Sequence, residues 1–300
     1  MSDLFIIGAG ASVPYGFPCG EKLLEEIKSL ESSAIELRRE IYRKVLIYNS
    51  HHIVDGKIFK KILSDLNNSL MTSIDDFIRN KNSESYEYNI IIKRIIAAFI
   101  LRYENNMKRG SNWIEYLLTS IDRRDNAFKK FFKSRFIIFN YDRVFEHKIF
   151  KYLISEKNRS KDMAMEIINK MNIFHLHGYL GHFDKLGFGE EQMENSIPEN
   201  FETVWDSKNA YIKQIINKAK EYITFSERVF FLGFGYLEEN MIKLGLTANT
   251  KILAKKKISG TAYKMSDYKI RDIESRLKLC GAMQPNIKDC EAVDLIKDFF

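Results

Sequence analysis

"LFIIGAGASVPYGFPCG", residues 4–20, decides how this chain is read. Residues 4–7 are a short apolar run cut off by Gly8, the mark of a buried strand. Two glycines spaced Gly8-x-Gly10 follow, then Ser12, Pro14 and Pro18. "GEKLLEEIKSL" (20–30) comes next, with Leu23, Leu24, Ile27 and Leu30 on one helical face. A glycine turn between a strand and a helix is the context that gives a dinucleotide-binding turn its meaning. Gly8 turns sharply, and Gly10 lets the backbone approach a pyrophosphate. The free N–H groups of a turn running Gly8, Ala9, Gly10, Ala11, Ser12, with the dipole of the following helix, favour negative charge. Ser12 adds a hydroxyl donor. Val13 stands where the redox fingerprint has its third glycine, and no acidic residue closes a second strand about twenty positions on. The signature of a hydride-transferring enzyme is therefore half met.

Working outward, residues 30–134 repeat their apolar positions every three or four, hold no proline and contain two glycines, Gly56 and Gly110. This reads as a helical layer with no strand, inserted after the first strand–helix unit. Buried strands are then predicted at "RFIIFNYD" (135–142), "NIFHLHG" (172–178) and "RVFFLGFG" (228–235), and a fifth at "NTKILAKKKIS" (249–259). Helices are predicted at 143–154 and 206–223. Strands alternating with helices imply an α/β fold, a Rossmann-like parallel sheet with helices on both faces. Its core takes residues 1–20 and 135–260, the insertion 21–134, and residues 261–300 have no assigned role.

The first four strands each end in small or polar residues: Gly8 to Ser12, Asn140 to Asp142, His175 to Gly178, and Gly233 to Gly235. Strand C-termini share one edge of an open parallel sheet, where ligands bind at the switch in strand order. Residues more than two hundred apart are thus expected around one crevice. Asn140 and Asp142 either orient a ribose hydroxyl, hold a water or cap the helix beginning near Arg143. His175 and His177 alternate and face one side of a strand. They read as a metal pair, or as a core histidine at 175 and an exposed base at 177, where Gly178 allows close ligand approach.

The chain has 300 residues, 45% hydrophobic and 13% aromatic, enough for a real core, and a formal charge of +7. The basic residues are mostly interleaved with acidic ones, and only "KKFFK" (129–133) and "KILAKKK" (251–257) stand out. Direct nucleic-acid binding is not expected. Cys19, Cys280 and Cys290 form no C-x-x-C pair and cannot complete a thiolate zinc site. A reducing, cytoplasmic setting is expected. The start of the chain lacks a basic signal-peptide region. The most apolar stretch, 89–101, is broken by Lys93 and Arg94, so no membrane span is expected.

With these residues in view, the chain resembles the sirtuin-like family, and within it the bacterial NAD-consuming domains of anti-phage defence. The resemblance rests on Gly8-Ala9-Gly10-Ala11-Ser12 followed by Pro14, Gly16 and Pro18; on Asn140-Tyr141-Asp142; on His177-Gly178; and on "FLGFGYLEEN" (231–240). It runs from residue 4 to about 260. The four-cysteine zinc module of deacylating members is missing. Pro18-Cys19-Gly20 replaces their Pro-Asp-Phe-Arg, and Gly235-Tyr236 replaces a serine common after the fourth strand. The resemblance implies hydrolysis of NAD+, as substrate and without a metal, to nicotinamide and ADP-ribose. It implies Asn140 positioning water or a ribose hydroxyl and His177 as base. It also implies diphosphate and ribose binding by residues 8–12 and by Gly233, Phe234 and Gly235, with Tyr141 among the NAD-binding residues and Asp142 at the nicotinamide end. A homo-oligomer is expected, as is a separate sensor partner such as a ring-forming DNA-translocase-type ATPase. The alternative is a non-catalytic module that binds NAD or ADP-ribose and regulates a complex.

Overall fold

A computed structural model describes residues 3–48, 52–53, 56–81, 84–108, 110, 112–123, 127–181, 187–189 and 210–300. Six parallel strands form one sheet: β1 (Asp3–Ile7), β2 (Arg135–Ile138), β3 (Asn172–His175), β4 (Arg228–Leu232), β5 (Lys257–Thr261) and β6 (Asn286–Lys288). Their spatial order is 3-2-1-4-5-6, the doubly wound Rossmann order whose switch point falls between β1 and β4. The apolar runs fill both faces, as a sheet covered on both sides requires. Phe5 lies in register with Phe136 on one side and Phe230 on the other. The three rings stack at 5.3 and 5.2 Å and form a ladder across the centre of the sheet.

Alternation sends Phe5 and Ile7 to one core, Leu4 and Ile6 to the other. Six helices of the insertion pack on the first face: α1 (Gly20–Lys28), α2 (Ile35–Leu46), α3 (Gly56–Asn67), α4 (Ile74–Asn80), α5 (Tyr86–Asn105) and α6 (Trp113–Asp122). A short helix, α7 (Ala127–Phe132), leads back into β2. α8 (Val144–Ser155) and α9 (Lys161–Lys170) cover the same face, and α10 (Ala210–Thr224) the opposite one. Helix α5 is buried on nearly every side from Ile91 to Leu101, where its residues are apolar apart from Lys93 and Arg94. Its one buried cation, Arg94, donates to the carbonyls of Val45 at 2.9 Å and Lys44 at 3.0 Å, closing the last turn of α2.

The insertion is helical as the periodicity predicts, with one departure: Ile47–Tyr48 and His52–Ile53 pair as a two-residue antiparallel ribbon. The fifth strand is also displaced. Residues 249–256 form turns with positive φ at Asn249, Lys251 and Lys255, and pairing begins at Lys257. Leu253, which suggested a strand, is a buried anchor of that turn. Residues after Thr261 complete the sheet through α11 (Asp267–Leu279), β6 and α12 (Ala292–Phe299). No described helix is long and apolar enough to cross a membrane.

Candidate functional site

Two glycine turns meet at the switch point. Gly8 N donates to Leu232 O at 2.9 Å and Gly10 N to Gly233 O at 3.0 Å. A Cβ on Gly8 would lie 2.5 Å from Gly233 O, and one on Gly233, whose φ is +56°, 1.9 Å from Ala11 N. These glycines are required where backbone meets backbone. Ala11 N and Ser12 N donate to Gly8 O and Ala9 O within a 3-10 turn. The expected row of free amides is therefore corrected: Gly8, Gly10, Ala11 and Ser12 already donate within the protein. The expected helix dipole is corrected too. A second 3-10 turn (Val13–Tyr15) intervenes, and α1 starts only at Gly20. Backbone glycine remains at the open rim, with Gly10 and Gly235 exposed and Ala9 and Gly233 half-buried.

The turn is tied to the insertion by residues that carry no sequence motif. Trp113 Nε1 donates to Ala11 O at 2.8 Å, and the Tyr15 hydroxyl donates to Glu115 at 2.8 Å. Arg143 and Glu104 form a fully buried ion pair, 2.6 Å between Nη2 and Oε2. Arg143 also donates to the Gly181 and Gly187 carbonyls.

A buried polar network lies behind the glycine rim. Asn140 Nδ2 donates to Ser12 Oγ at 2.9 Å, and Ser12 Oγ donates to Asp142 Oδ1 at 3.1 Å. Asp142 Oδ1 also accepts from Val144 N at 3.1 Å, so Asp142 holds the first amide of α8 from the position before the N-cap, Arg143. The Asn140 carbonyl oxygen, Oδ1, is buried with no partner among the described residues. Such a group costs about 1–3 kcal/mol, a cost that calls for a ligand or a water. Burial pushes the Asp142 carboxyl up from 3.8 to about 6. The Val144 amide and the Ser12 hydroxyl oppose the shift, the Glu146 charge adds to it, and His175 opposes it.

The two histidines do not share a strand face, because β3 ends at His175 and His177 sits in the turn beyond. His175 is a core histidine: its Nδ1 meets Asn140 O at 3.1 Å, its Nε2 meets Glu146, and Tyr179 stacks on it. His177, expected exposed, is 3% exposed. It lies between the rings of Phe139 and Tyr141, 5.3 and 5.9 Å away, with Lys243 Nζ 3.4 Å from its Nε2. Lys243 ends a short helix, Glu238–Lys243. Phe234 is buried in an aromatic cluster with Phe139, Phe231 and Tyr236. The structure thus brings Gly8, Ser12, Asn140, Tyr141, Asp142, His177 and Gly233 to one sheet edge. Glu146 and Lys243 escape a reading of motifs; Glu146 stands one helical turn after Asp142, a spacing that could have flagged it. No cluster of three or more His, Cys, Asp or Glu suited to a metal occurs among the described residues. Comparison with known proteins found no matching family profile and no matching curated protein.

Proposed function

We propose that this chain is an NAD+ glycohydrolase of sirtuin-like type, releasing nicotinamide and ADP-ribose. The observation that carries the reading is the buried Asn140 amide. It is held by Ser12, which in turn bonds Asp142, its side-chain oxygen has no partner among the described residues, and it follows β2 at the sheet edge where the turn carrying His177 also lies. A pre-aimed amide with one unused acceptor is what orienting a ribose hydroxyl or a water demands. Gly10 and Gly235 are exposed at the rim, and beside Gly235 nothing lies nearer than Leu237 Cγ at 3.9 Å, so a nucleotide would meet backbone there.

The bond from ribose C1′ to the nicotinamide nitrogen breaks, and its electron pair neutralises the pyridinium, so no general acid is needed. Positive charge develops on the ribose, as in other glycoside cleavages. Water adds at C1′ and gives its proton to His177. Lys243 Nζ lies 3.4 Å from Nε2 and also 3.4 Å from Asn240 Oδ1, so Nε2 takes up the proton as Lys243 turns to Asn240. In a cell this activity would deplete NAD as the effector of an anti-phage system. It would act in the cytoplasm as a homo-oligomer, triggered by a separate sensor such as a ring-forming ATPase.

The burial of His177 favours a second reading, a non-catalytic module that binds NAD or ADP-ribose. Nicotinamide release separates the two. Wild type, Asn140→Ala and His177→Ala are assayed with and without the product of any neighbouring gene. Release by wild type, reduced about 10²–10⁴-fold in both variants, supports hydrolysis. Equal turnover by all three removes the site, and NAD binding without release by any of them supports the module.

A further inference from the structure

We propose that the buried Glu146–His175 pair is a positioning device for Asn140, in which a protonated His175 ring bridges the main-chain carbonyl of Asn140 and the Glu146 carboxylate and so aims the side-chain amide. The proposal rests on the glycohydrolase reading for its meaning, because it assigns positioning residues to that site.

The sheet itself shows why such a device is needed. Phe139 N donates to Ile7 O at 2.8 Å, and Leu176 N donates to Ile138 O at 2.8 Å, so ladder bonding runs just past β2 and β3. The next rung would join Asn140 O to Gly178 N. Gly178 N instead turns back to His175 O at 3.4 Å, and the His175 ring takes the vacant place with Nδ1 3.1 Å from Asn140 O. The imidazole therefore substitutes for a missing rung at the residue whose side chain enters the site.

The other ring nitrogen settles the chemistry. Nε2 contacts Glu146 Oε1, so the ring lies between a peptide carbonyl and a carboxylate, both acceptors. A neutral imidazole carries one N–H and can satisfy one of them, whereas an imidazolium satisfies both. The His175 and Glu146 side chains are 4% and 9% exposed. The groups facing the ring are Glu146 from α8, Asp142 from the segment before it, and the Tyr179 ring stacked at 4.5 Å. Burial by itself would lower the proton affinity of His175. The Glu146 charge and hydrogen bond, the Asn140 carbonyl and Asp142 outweigh it and hold the histidine above its ordinary range. A histidine that merely filled space would not require a carboxylate brought out of water, with Glu146 Oε2 left without a partner among the described residues.

The test has two arms on the full chain. In the first, nitrogen-15 spectra of the histidine rings are recorded across pH for wild type and Glu146→Gln. His175 should remain doubly protonated through neutral pH in wild type and lose its second proton at lower pH in E146Q. A singly protonated His175 at pH 7 in wild type overturns the proposal. The second arm measures nicotinamide release. His175→Gln should lower kcat about 100-fold, the scale of a displaced reacting group, with KM unchanged. E146Q retains an acceptor and should lose less, with the loss deepening as pH rises from 6 to 8. Wild-type kcat in both variants overturns the proposal. If H175Q does not fold, E146Q and the spectra decide. If wild type releases no nicotinamide under any condition, the glycohydrolase reading fails and the spectra alone judge the pair.

Discussion

Gly233→Ala tests the meeting of the two glycine turns. Its Cβ would stand 1.9 Å from Ala11 N, 2.4 Å from Gly10 C and 2.8 Å from Ala11 Cα, all of them backbone atoms that no rotamer change can move aside. The residue also holds φ +56°, which costs an L-residue about 1–2 kcal/mol. Forcing the two strand ends apart adds about 1–3 kcal/mol, the usual penalty of overpacking. The sum is about 2–5 kcal/mol. For 300 residues the unfolding entropy converts 1 kcal/mol to about 2 °C, so Tm should fall by about 4–10 °C. Gly235→Ala is the control. Two residues away, its Cβ would meet nothing nearer than Leu237 Cγ at 3.9 Å, and its φ is not positive. It should melt within about 1 °C of wild type. Calorimetry of the three proteins decides. A G233A variant that melts with wild type, or a G235A variant equally damaged, would refute the backbone contact.

Ser12→Ala removes the link between Asn140 Nδ2 and Asp142, and should cost about 1–3 kcal/mol in a urea melt. Asp142→Asn tests the raised carboxyl. Between 3.8 and about 6 the folded state binds the proton more tightly than the unfolded chain, so wild type loses stability as pH rises through that window, by up to about 3 kcal/mol. The Tm advantage of D142N over wild type should therefore be larger at pH 7.5 than at pH 4.5, and an advantage that does not change with pH contradicts the assignment. Glu104→Leu leaves the Arg143 guanidinium buried without its carboxylate and should cost about 3–5 kcal/mol. Adding Arg143→Met should restore most of that loss by thermal melt, since an apolar pair of similar volume avoids the desolvation of both ions.

The four principal strands were legible because each is an apolar run stopped by glycine or a polar residue. The insertion was legible because helical periodicity persists for a hundred positions without proline. β6 was not: "NIK" is too short to carry a pattern, and only its pairing with β5 makes it a strand. At 249–259 the apolar Ile252 and Leu253 imitate a strand, while the left-handed residues that make the turn are lysines and asparagine, which sequence does not single out. Gly8 and Gly10 announce that something must come close, but not what. Here it is the backbone of Gly233. The convergence of Ser12, Asn140 and Asp142 follows from strand ends sharing an edge. The Glu146–His175, Arg143–Glu104 and Lys243–His177 pairs do not, because no local pattern records which distant side chains meet.

The strand order also constrains how the protein can be made. β1 leaves the ribosome well before both of its neighbours, which begin at residues 135 and 228. Gly233 N is in turn held by the Thr261 hydroxyl at 2.8 Å. Until Thr261 has been translated, the turn at residue 8 lacks the scaffold that shapes it. Such long-range closure slows folding and leaves an apolar strand waiting for partners. Nascent chains cut short before β5 should therefore lack the ordered turn and depend on chaperones, so that the site takes shape only once β5 has been made.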